Sequence, residues 1–135
     1  MFEYHGWATL RDTQDDWDRS GPADDLSQSA YDAVAAAIAD VRSDLQVADL
    51  RVVNGSAHLW LAGLRNHRQE PVIEVFRRIA RLAPWSYGLL HVYDDEAQGE
   101  DANRWVIWVL KRGSVTPEAD SWLSPHVGVV EDELA

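Results

Sequence analysis

Apolar and polar residues alternate from the start of the chain. In Phe2 to Arg11, FEYHGWATLR, one side of an extended strand carries Phe2, Tyr4, Ala8 and Leu10, and the other carries Glu3, His5, Trp7, Thr9 and Arg11. The first side suits a core. The second mixes an indole and an imidazole with charged groups, which predicts a strand packed on one face and available to something else on the other. Gly6 leaves a second reading open, because an interior strand glycine also marks bulges, and a bulge there would turn Trp7 inward as ordinary core.

Asp12 to Asp25 (DTQDDWDRSGPADD) is polar, acidic and broken by Gly21 and Pro22, so it reads as a loop with Trp17 as an anchor. Asp24 or Asp25 can cap a following helix. From Leu26, the apolar residues Ala30, Val34, Ile38, Val41 and Leu45 recur at helical spacing among further alanines. Val47 to Val53 and Ser56 to Leu64 read as strands joined by Asn54-Gly55, the dipeptide suited to a primed hairpin turn. Pro71 fits the first turn of a second helix, with Val72, Val75, Phe76, Ile79, Ala80 and Ala83 as its apolar stripe and Pro84 as its stop. Tyr87 to Tyr93 and Arg104 to Lys111 form a second strand pair around the acidic loop DDEAQGEDAN. Gly113 to Ala135 contains Pro117, Pro125 and Gly128, and reads as an irregular arm lying against the body with a solvated EDELA end.

The order strand, helix, strand, strand, helix, strand, strand predicts an α+β fold. Its first six elements follow the ferredoxin-like β-α-β-β-α-β pattern with an added C-terminal strand, giving a five-stranded antiparallel sheet with two helices on one face. The opening strand is then internal, between the strand holding Trp60 and the strand holding His91. The second face stays open unless the arm or a partner covers it.

The 135 residues suit a single domain spanning 1–135, and 46 % hydrophobic content with seven Trp is too apolar for disorder. The absence of cysteine excludes disulfides, thiolate metal sites and thiol nucleophiles. With neither a signal-peptide pattern nor a membrane-length apolar run, the expectation is a soluble, cytoplasmic protein. Twelve Lys and Arg against 23 Asp and Glu leave a formal charge of -11, which argues against nucleic acid and anionic membrane as partners and serves equally solubility or faster encounter with a basic partner.

Alternation in the later strands sets His58 and Trp60 opposite Ala57, Leu59 and Leu61, and sets Tyr87, Leu89, His91 and Tyr93 opposite Leu90 and Val92. With His5 and Trp7 they make an aromatic, histidine-bearing patch away from the helices. Three strand histidines could hold zinc, but no short ligand motif such as HExxH accompanies them. Stacking of single-stranded RNA bases on such rings would need a basic groove that the composition lacks. No nucleophile elbow, phosphate loop or paired-carboxylate signature appears, and the acids from Asp94 to Asp101 do not match a calcium loop. Asp94, Asp95 and Glu96 read either as a solvated connection or as an acidic prong for a partner's Lys and Arg, the prong being favoured by the net charge. Asn66-His67-Arg68, between hairpin and helix, reads mainly as a structural junction.

Together, MFEYHGWATLR, the NG turn, GLRNHR, SYGLLHVYDDE, N-x-W-V-I-W-V-L-K-R-G and D-S-W-L-S-P with a late E-D resemble the immunity protein 7 family of bacterial polymorphic toxin systems. The resemblance runs nearly end to end and places the family's marks at His5, Gly6, Trp7, Asn66, His67, Arg68, Tyr87, Gly88, Asp94, Asp95 and Glu96. It implies a cytoplasmic inhibitor of a cognate secreted toxin's C-terminal domain, often a nuclease, with no catalytic residue, cofactor or metal of its own. Physics and resemblance converge on a contact surface of Trp7, Trp60, Asp94, Asp95 and Glu96, with His5 and His91 nearby, fitted to a basic toxin cleft. Two rivals stand beside it: a small metal-dependent enzyme using His5, His58 and His91, and a homodimer in which a second copy covers the aromatic face.

Overall fold

A computed structural model describes residues 1–12 and 25–133. Trp17, Asp24 and the Gly21-Pro22 break lie outside the described residues. The elements are β1 (Phe2–Leu10), α1 (Gln28–Ala39), β2 (Gln46–Val53), β3 (Ser56–Arg65), α2 (Glu70–Leu82), β4 (Tyr87–Asp94), β5 (Trp105–Lys111) and β6 (Ser114–Ala119). The strands form one antiparallel sheet in the order β2-β3-β1-β4-β5-β6, which puts β1 between β3 and β4 as expected.

The added strands number two, not one. Arg112 and Gly113 turn the chain back after β5, both at positive φ, and the first residues of the expected irregular arm pair as β6. Pro117 is tolerated there because β6 is an edge strand, where a missing N–H can face away from the ladder.

The alternation of β1 holds through its whole length, and its register continues unbroken past Gly6 on both sides. There is no bulge, so Trp7 faces away from the core. Glycine is required here for another reason: a Cβ at position 6 would come within 2.8 Å of Leu90 Cδ1, in the space where Leu90 and Phe76 pack. The core joins Phe2, Tyr4, Ala8 and Leu10 to Leu59, Leu61, Leu90, Val92 and Leu110, and to Val34 and Ile38 of α1 and Val72, Ile73, Phe76 and Ile79 of α2. Both helices therefore cover the same sheet face.

The cap of α1 is Ser27, whose hydroxyl accepts the Ala30 N–H at 3.2 Å, and not Asp25. Asp25 is buried and ion-paired with Arg11 at 2.5 Å. The helix also stops at Ala39, which leaves Leu45 outside the apolar stripe and 69 % exposed. No helix among the described residues is long and apolar enough to cross a membrane.

Candidate functional site

On the sheet face away from the helices, Trp7 stands directly opposite Trp60 of β3 and Leu89 of β4. One step along, His5 lies between Ala62 and His91. Both indoles are 38 % exposed, and the Trp7 ring meets Tyr87 edge-on at 6.2 Å. Trp7, Trp60, His5, His91, Val47 and Ala62 line a shallow open depression. A second depression continues it toward the sheet edge, past Leu45, Val47 and Leu64. Large exposed apolar side chains that adjoin one another on a soluble surface mark contact sites.

The C-terminal segment covers one corner of this face and leaves the rest open. The Asp120 carboxylate accepts the N–H groups of Trp122 and Leu123, and the Ser124 hydroxyl accepts the Trp105 N–H at 2.8 Å. His126 then stacks on Tyr93, with ring centroids 3.9 Å apart, and accepts the Trp105 indole N–H at Nδ1. Tyr93 and Trp105 are buried as a result. Burial pushes the Tyr93 phenol above its ordinary pKa, and the nearby carboxylates of Asp95, Glu131 and Asp94 push it the same way.

Asp94 requires a correction. Its parity in β4 sets it opposite Phe2 on the helix side, where it is only 9 % exposed. One carboxylate oxygen lies 3.5 Å from Arg68 and the other accepts the Glu96 N–H at 3.0 Å. It is an internal brace and not part of an outward prong. Asp94→Ala should therefore lower stability by about 1–3 kcal/mol, measured by urea unfolding, because the Glu96 N–H loses its acceptor and Arg68 loses one of its two carboxylate partners.

Asp95 and Glu96 do face solvent, but each already has a partner beside it. Asp95 is 2.5 Å from the amino-terminal ammonium of Met1, and Glu96 is 2.6 Å from His67 Nδ1. They lie just past the end of β4, six and seven residues from Leu89, roughly 20 Å from the Trp7 row at the rise of a strand. A standard interface covers about 800 Å² per partner, roughly 30 Å across, so one partner could span both features.

The three histidines do not converge. His91 is opposite His5, whereas His58 is opposite Thr9, four residues or about 13 Å along β1. Zinc needs ligand atoms about 2 Å from one ion, so the set proposed for a metal enzyme cannot close. Among the described residues, the set of three acidic or imidazole groups close enough to share an ion is Asp94, Asp95 and Glu96, with Asp94 already engaged by Arg68.

The sequence model of one protein family, described as immunity protein 7, matches residues 1–132, essentially the whole chain. The chain belongs to the immunity protein 7 family. No curated protein and no solved structure gave a significant match.

Membership implies a toxin as partner and points to inhibition, not catalysis, as the role of this immunity protein. Two blocks that carry the resemblance, GLRNHR and SYGLLHVYDDE, meet in space as one corner. His67 pairs with Glu96, while Arg68 bridges Asp94 and Glu70, the latter at 2.9 Å. The Arg68 hydrogen bond holds the Glu70 carboxyl below the usual range against the opposing effect of burial, with Arg77 adding to it. This corner ties the start of α2 to the end of β4, which is the structural role expected for the junction.

Sequence reasoning missed Val47, Leu64 and Leu45 as members of the open face. For Leu64 the signal was present, since positions 58, 60, 62 and 64 share a side of β3. Val47 and Leu45 depend on β2 being an edge strand, so that nothing covers them.

Proposed function

We propose that this immunity protein binds and neutralises a cognate toxin domain in the cytoplasm of the producing cell. The open face of β3, β1 and β4 is the contact surface, with Trp7 and Trp60 as its anchors and His5 and His91 beside them. The observation that carries this reading is the pair of indoles held side by side, half exposed, in a depression on a sheet whose other face packs against both helices. Rigid aromatics in such a position are the usual anchors of tight interfaces. The first four strands of the chain lie side by side as β4-β1-β3-β2, which fits the ferredoxin-like reading of the first six elements.

The net charge of -11 selects a basic toxin surface, and a nucleic-acid-cleaving domain would have one. Asp95 and Glu96, at the end of β4, act as an outlying steering patch; Asp94 no longer belongs to it. The direct test is titration calorimetry between this chain and the variable C-terminal domain of the secreted protein encoded beside it. Binding together with loss of toxin activity supports the reading, and absence of binding to that domain sinks it.

The steering role has its own signature. Asp95→Lys with Glu96→Lys should slow association about tenfold at low salt and flatten its salt dependence, with little change in dissociation, measured by stopped-flow. Unchanged association would remove the acidic loop from the interface.

A further inference from the structure

We propose that the free edge of β2 is a self-pairing strand through which two copies of this chain join their sheets antiparallel, with Leu50 opposite the partner's Leu50. This does not depend on the toxin reading, because edge-to-edge pairing leaves the face of Trp7 and Trp60 open.

The backbone supplies the first argument. The two-residue turn Asn54-Gly55, with φ of 51° and 82°, closes β2 and β3 on the pair Val53 and Ser56. Such a turn closes on a hydrogen-bonded pair, so the odd-numbered residues of β2 bond to β3 and the even-numbered ones point their N–H and C=O outward. Two contacts agree with that phase: the Gln46 N–H donates to the Ser43 carbonyl at 3.3 Å, and the Ala48 carbonyl accepts from Arg42 Nε and Nη2. Further along, the outward groups of Leu50 and Val52 have no partner among the described residues. The opposite edge, β6, carries Pro117 and Glu118, the usual means of keeping an edge from pairing. β2 has no proline.

The side chains supply the second argument. Centred on Leu50, a two-fold antiparallel pairing brings even residues together as hydrogen-bonded pairs, Ala48 with the partner's Val52. The odd residues then meet as the closer, non-hydrogen-bonded pairs. Asp49 faces the partner's Arg51, and Val47 faces the partner's Val53. Val47, Val52 and Val53 are all exposed in the single chain, and this register covers them. Sliding to either neighbouring register that keeps the backbone groups in phase puts Asp49 against Asp49 or Arg51 against Arg51, which is unfavourable. Within one chain Asp49 and Arg51 are 2.8 Å apart on the same face, so the pairing exchanges two exposed intrastrand contacts, one in each chain, for two interstrand ones. Arg42 can keep its hold on Ala48, because a carbonyl has two lone pairs.

The test is sedimentation velocity of the full chain from micromolar to near-millimolar concentration at physiological salt. The wild type should shift to twice the monomer mass, and hydrogen exchange at the Leu50 and Val52 amides should slow in step with the shift. Arg51→Asp and Asp49→Arg each place like charges in both symmetric pairs, so each alone should dimerise at least about tenfold more weakly. An equimolar mixture of the two should recover the dimer, since a strand with two arginines then faces a strand with two aspartates. The intrastrand pair is lost in both variants, so only contact between chains can produce that recovery. A wild type that stays monomeric throughout, single variants that dimerise as the wild type does, or a mixture no better than its components would each overturn the proposal.

Discussion

Replacing Trp7 and Trp60 together by alanine should raise the Kd for the cognate toxin domain by about a thousandfold while the protein stays folded. Central, half-exposed aromatics of an interface typically contribute about 2 kcal/mol or more each, and every 1.4 kcal/mol is about a factor of ten. The two rings are directly opposite on adjacent strands and share one depression, so they should act as a unit. Because the face they stand on has no helix over it, their removal opens no cavity in the core. The cost in stability should stay near about 1 kcal/mol per ring, chiefly from lost neighbour contacts such as that between Trp7 and Tyr87. Calorimetric titration for affinity and thermal melts for the fold separate the two effects. Wild-type affinity in the double variant would remove this face from the toxin interface.

Gly88→Ala should have the opposite profile: a large loss of stability, and a loss of protection that merely follows from it. A Cβ at position 88 would stand 2.0 Å from the Trp7 carbonyl oxygen and 2.7 Å from Ala8 Cα, both backbone atoms of the neighbouring strand. Neither can rotate away. The strands must separate, and β1 is the strand that joins the two halves of the sheet, so we expect a loss of about 3 kcal/mol or more. Against a typical total of about 5–15 kcal/mol this is a large fraction. Gly99→Ala provides the control, since nothing lies within 4 Å of its added methyl and only the positive φ of 70° opposes it, at about 1 kcal/mol. Urea unfolding of both variants measures the contrast. Equal midpoints would mean that β1 and β4 do not approach each other this closely.

These two variants separate what holds the sheet together from what the sheet presents, and the resemblance to a family does not make that distinction. His5, Gly6 and Trp7 are consecutive residues with different roles. His5 and Trp7 face outward, whereas Gly6 makes room for Leu90 and Phe76. Likewise Asp94, Asp95 and Glu96 read as one acidic run, yet the first is a buried brace and only the other two reach solvent.

The period-two pattern of β1 was enough to assign its faces, because an extended chain can bury one row of side chains only by exposing the next. The same local rules marked α2 through Pro71 and its apolar stripe, and the β2-β3 hairpin through Asn54-Gly55. What stayed hidden depended on residues far away in the chain. Asp94 could be read inward only once Arg68, across the corner, was there to compensate an acid on the packed side. Asp25, read as a cap, was seen to be engaged elsewhere only once Arg11 was found paired with it, and Ser27 takes the cap position. Pro117 looked like a strand breaker until β6 was placed at an edge, and the cover over Tyr93 depended on His126 folding back from beyond that edge. Local sequence therefore determined the first five strands, the two helices apart from the end of α1, and the two faces of β1, since backbone geometry sets these within a few residues. Only the tertiary structure decided which outward faces stay bare and which charges are already paired, since both depend on neighbours brought in from distant parts of the chain.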